Sequence, residues 1–86
     1  MQLSVAQRFL VEATRATGPD EYFRWHAVAA TLGYSEAEAR QAMQSLDDRK
    51  LVILLLEGNA RLLDAGRQMG AKLEARLIRA GEATRR

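Results

Sequence analysis

Side chains able to carry out a reaction are few and scattered in this 86-residue chain. His26 is the only histidine and there is no cysteine, so spacing assembles neither a nucleophile–base pair nor a thiolate metal set. Asp47 and Asp48 stand beside Arg49 and Lys50, where local ion pairing accounts for them. Gly58-Asn59 lies between two apolar runs and marks a turn between strands, not a phosphate-binding loop. The expectation is a non-enzyme that needs no metal and no cofactor. The remaining polar groups recognise rather than transform. Arg40, Gln41 and Gln44 carry planar heads with several donors each.

Two helices and a sharp turn must position that set. In VAATLGYSEAEARQAMQSL, residues 28 to 46, Ala29 stands four residues before Gly33, with apolar side chains at Val28, Leu32, Tyr34, Ala39, Ala42 and Leu46. A small residue lets the helices approach, and Gly33 can take the left-handed conformation that a helix-turn-helix requires. The second helix is expected from Trp25 to Leu32. Ser35 with Glu38 forms a capping box for the third, which runs to Arg49. Its inward face is Ala39, Ala42, Met43 and Leu46, and its outward face Glu36, Ala37, Arg40, Gln41, Gln44 and one of Asp47 and Asp48.

The flanking elements complete one domain over residues 1–80. A first helix from Leu3 to Thr17 buries Ala6, Phe9, Leu10, Ala13 and either Ala16 or Thr17, and Gly18-Pro19 stops it. Tyr22 and Phe23 could supply a minimal strand. LVILLLEGNARLL reads as a hairpin around a two-residue Gly58-Asn59 turn, pairing Leu55 with Leu62 and Leu54 with Leu63. That register puts Leu51, Ile53, Leu55 and Leu62 on one face, and Val52, Leu54, Leu56 and Leu63 on the other. A last helix from Asp64 to Arg79 carries Met69, Leu73, Leu77 and Ala80 on one stripe and Lys72, Arg76 and Arg79 on another. Residues 81–86 are expected to fray. The fold class is mainly α with a small β-hairpin (α+β), in the order helix, short strand, helix, helix, strand, strand, helix.

The longest apolar run, Leu51 to Leu56, is too short to cross a bilayer, and the first residues lack the features of a secretory signal. A soluble cytoplasmic protein without a membrane partner is expected. The net charge of +2 is unevenly spread. Residues 1–33 balance, residues 34–60 carry three basic against five acidic side chains, and residues 61–86 carry seven against three.

This order, with SLDDRKLVILLLEGNARLLDAGRQMG following the two-helix motif, resembles the winged helix-turn-helix DNA-binding domains of small bacterial and archaeal transcriptional regulators, of the multiple-antibiotic-resistance and phenolic-acid-repressor type. The resemblance covers about residues 3 to 80. It rests on Leu46, Leu51-Val52, the Gly58-Asn59 turn, Leu62 and Ala65-Gly66. The chain departs from the pattern in two places. Leu63 stands where the family often has a capping Thr, leaving Asp64 as the cap, and the hairpin offers only Arg61 where the family's wing is usually basic.

The resemblance implies a sequence-specific regulator that places its third helix in the major groove of double-stranded DNA. Ser35, Ala37, Arg40, Gln41 and Gln44 would then face base edges, because Arg suits guanine, Gln suits adenine and a methyl group suits thymine. Arg49, Lys50 and Arg61 would hold the DNA backbone. A homodimer is expected, with Val52, Leu54, Leu56, Leu63, Met69, Leu73 and Leu77 as candidate contacts with a second copy or another partner. The last helix folding back over the hairpin face accounts for the same side chains as core. Lys72, Arg76 and Arg79 fit either an anionic surface or a solvated face. The alternative function is a protein–protein interaction module that uses the apolar wing and last helix without base reading, motivated by the acidic third helix.

Overall fold

The computed structural model describes residues 2–84, with side chains through residue 80. Four helices and a three-stranded antiparallel sheet follow in the order α1 (Val5–Ala16), β1 (Tyr22–Arg24), α2 (Trp25–Leu32), α3 (Glu36–Asp48), β2 (Val52–Leu54), a single 3-10 turn (Leu56–Gly58), β3 (Asn59–Leu62) and α4 (Asp64–Thr84). The mainly helical α+β class expected from the sequence is observed.

Local signals set the helix boundaries. Ser4 caps α1 through a reciprocal pair, the Gln7 amide donating to the Ser4 hydroxyl at 3.1 Å and the Ser4 amide to the Gln7 side chain at 2.8 Å. Ser35 and Glu38 repeat the arrangement on α3, at 3.2 and 3.1 Å. Between α2 and α3, Gly33 takes φ 78° and ψ 26°, and the Tyr34 amide donates to the Ala29 carbonyl at 3.0 Å. A side chain at Gly33 would carry the left-handed penalty, which is why glycine stands at this corner.

The core lies where α1 meets all three other helices. Phe9, Leu10, Val11 and Ala13 are buried on α1, Val28 and Ala29 on α2, and Ala39, Ala42, Met43 and Leu46 on α3. Val11 falls outside the single stripe expected for α1, and of the two alternatives at its end Ala16 is exposed and Thr17 half-buried. A helix with α3 on one side and α4 on the other needs an apolar arc wider than one stripe. Phe9 and Tyr34 stack with ring centroids 6.0 Å apart, tying the α2–α3 corner to α1.

The hairpin differs from its expected register. β3 is the central strand, with Tyr22, Phe23 and Arg24 of β1 opposite Arg61, Ala60 and Asn59, and Val52, Ile53 and Leu54 of β2 opposite Leu62, Arg61 and Ala60. A three-residue connection replaces the two-residue turn, closed by the Leu55 amide donating to the Asn59 carbonyl at 2.8 Å. The resulting offset is odd, and it exchanges the two faces of β2. Val52 and Leu62 point into the core with Ala60, while Ile53 and Leu55 point out. The pairing with β1 explains the choice. Phe23 needs the small Ala60 beside it on the buried face, and this turns Tyr22 and Arg61 to solvent.

α4 runs antiparallel to α1 and is fixed by two close approaches. A Cβ on Gly66 would overlap the Leu51 carbonyl, and one on Gly70 would overlap the Thr14 hydroxyl. Arg67 holds the end of α1, donating to the Thr17 carbonyl at 3.0 Å, the Thr17 hydroxyl at 3.2 Å and the Gly18 carbonyl at 2.8 Å. Farther along, Arg15 and Glu74 pair at 2.6 Å. The helix continues to Thr84, past the Gly81 at which fraying was expected, and residues 85 and 86 lie outside the described residues. Among the described residues no helix is long and apolar enough to cross a membrane.

Candidate recognition surface of α3 and the hairpin

The capping box at Ser35 and the four buried side chains of α3 fix which way this helix faces. Ser35, Ala37, Arg40, Gln41 and Gln44 consequently lie exposed together along one side of it, as their spacing predicts. Two of the five side chains donate within the domain. Arg40 donates through Nη2 to the Glu36 Oε1 at 2.9 Å, and Gln44 donates through Nε2 to the Asp48 carboxylate at 3.0 Å. Both are i,i+4 contacts on an exposed helix face, worth a few tenths of a kcal/mol each, so a ligand can displace them.

Behind Arg40 lies an aromatic step. Its guanidinium carbon sits 5.5 Å from the centroid of the Trp25 ring, and Trp25 stacks on His26 with centroids 3.7 Å apart. His26 Nε2 is also 3.7 Å from the Glu36 oxygen that accepts from Arg40. Glu36 thus sits between two nitrogen groups. The hairpin closes the other side, because a Cβ on Gly58 would lie 2.8 Å from His26 Nδ1. The open cleft between them, of about 370 Å³, has Met43, Gln44, Leu54 and Leu55 on its remaining walls.

Charge on this surface is predominantly negative. α3 contains Glu36, Glu38, Asp47 and Asp48 against Arg40 alone, a formal charge of −3. The hairpin tip adds Glu57. Arg49 and Lys50 are exposed just past the end of α3. Arg61 is not with them. It lies on the outer face of the sheet between Tyr22 and Ile53, with Asp20 3.9 Å away.

The seven expected partner contacts separate. Val52 is 1% exposed and Leu73 6%, so both belong to this domain's own core. Leu54 and Leu77 are half-buried and pack against it, and Leu63 is half-buried. Only Met69 and Leu56 are open, Leu56 at 86%. The surface also presents Tyr22, Ile53 and Leu55, which were not among the expected contacts. The odd register shift put Ile53 and Leu55 outside, and no alternation within LVILLL could have announced it.

A second groove of about 450 Å³ runs between α1 and α3, with Val5, Leu10, Leu46 and Met69 on its walls and Arg49 at its rim. Among the described residues there is no group of three or more His, Asp or Glu side chains that could hold a metal ion. No family model matches this chain, and no curated protein is significantly similar to it.

Proposed function

We propose that this chain is a small interaction module of winged-helix type that engages a protein partner through α3 and the hairpin tip. The succession of α2, the Gly33 corner, α3 and a hairpin beside α3 supports that fold reading. One observation carries the functional one. The helix that would enter a major groove has a formal charge of −3, and its arginine and one of its two glutamines are held by carboxylates of the same helix. Affinity for DNA depends on neutralising phosphates with cations, and each carboxylate here opposes that. A partner segment carrying both basic and apolar side chains complements the surface instead. Its cations meet Glu36, Asp48 and Glu57, and its apolar groups meet Leu55 and Leu56.

The test is selection from a displayed peptide library against the intact chain, alongside selection from randomised DNA duplexes. Enrichment of basic, apolar peptides that is lost on Leu55→Lys with Leu56→Lys, at unchanged helical circular dichroism, supports the proposal. Enrichment of one duplex sequence whose binding collapses on Arg40→Ala refutes it. That outcome is the second reading, a homodimeric, sequence-specific DNA-binding regulator like the family it resembles. It is favoured by the exposed row of Ser35, Ala37, Arg40, Gln41 and Gln44.

A further inference from the structure

Basic side chains outnumber acidic ones in the last part of the sequence, seven to three over residues 61–86. Four of them, Arg67, Lys72, Arg76 and Arg79, lie on α4 together with Asp64, Glu74 and Glu82, and Glu74 is already paired with Arg15. Lys72, Arg76 and Arg79 are all exposed and recur at intervals of four and three, which aligns them along one side of the helix. Among the described residues none of the three forms an ion pair. The first and last are seven residue steps apart, about 10 Å of helix.

We propose that this stripe is a sequence-independent contact for the phosphate backbone of duplex nucleic acid, separate from the α3–hairpin surface and not dependent on its reading. The array complements a polyanion that presents one charge per roughly 1.7 Å of axis. A bilayer surface is a poorer complement. Interfacial helices insert an apolar face, and the apolar side of α4 is occupied by α1 through Leu73, Leu77 and Gly70, which leaves Ile78 as the large apolar side chain exposed on this half of the helix.

The intact chain is titrated with fluorescent random-sequence duplex at several salt concentrations. Three phosphate contacts give a slope of log affinity against log salt near −2.7, or roughly a 40-fold loss between 50 and 200 mM. The Lys72→Ala, Arg76→Ala, Arg79→Ala triple variant is expected to lose most of the binding and most of the slope. The Arg40→Ala, Gln41→Ala, Gln44→Ala variant is expected to keep both. All six positions are exposed, and circular dichroism confirms that each variant is folded. No duplex binding at 50 mM salt, a triple variant on α4 that behaves as the parent, or equal binding to phosphatidylserine vesicles overturns the proposal.

Discussion

Replacing Gly66 by alanine isolates the docking of α4. In an unobstructed helix the change stabilises by about 1 kcal/mol, because alanine loses less backbone freedom than glycine. Here the new methyl would overlap the Leu51 carbonyl, whose carbon lies 2.8 Å and whose Cα lies 3.2 Å from the added atom. All three obstructing atoms are backbone, at the residue that leads into β2 and accepts from the Leu63 amide at 3.0 Å. No rotamer change relieves the clash, so α4 or the strand must move. Overpacking of this kind costs about 3 kcal/mol at the upper end of its usual range. The net loss is about 2 kcal/mol, a fall in Tm of roughly 8–16 °C for a domain of this size. Gly70→Ala provides the internal comparison. Its nearest obstacle is the Thr14 hydroxyl, which can rotate away by surrendering its 2.7 Å bond to the Leu10 carbonyl. It should therefore cost less, and Thr14→Ala in the same chain should restore most of the loss. Urea unfolding followed by circular dichroism at 25 °C measures all four proteins. A Gly66→Ala protein as stable as the parent or more so would refute the close approach of α4 to Leu51.

Arg67→Ala removes three hydrogen bonds from the end of α1 and should destabilise by about 1–2 kcal/mol, with amide exchange accelerating first around Thr17 and Gly18. Val52→Ala should cost about 1–3 kcal/mol in denaturant unfolding while Leu56→Lys stays within about 0.5 kcal/mol, and equal effects would mean that the register of β2 is wrong.

The helical part of the fold was legible because its signals are local. Ser35 with Glu38 identifies the start of α3 within four residues, and Ala29 with Gly33 identifies the corner before it. The inward face of α3 followed from its period alone. The hairpin was not legible in the same way. Leu51 to Leu56 is uniformly apolar, so both faces of the strand look equally fit for burial. The choice between them is made across the sheet, by Phe23 beside Ala60, and that contact spans 37 positions in sequence. The candidate surface divides likewise. Which side chains of α3 face outward could be read from spacing. That Glu36 sits between Arg40 and His26, and that the hairpin tip reaches His26, depends on how separate elements are placed.

Trp25 is the only tryptophan in the chain, and it lines the cleft between α3 and the hairpin. Its indole lies against the His26 ring and under the Arg40 guanidinium, so its emission is set by side chains that line the same cleft. The protein therefore carries a built-in optical probe of this surface. A partner seated beside Arg40 would announce itself as a change in intrinsic fluorescence, without a label and without altering a residue.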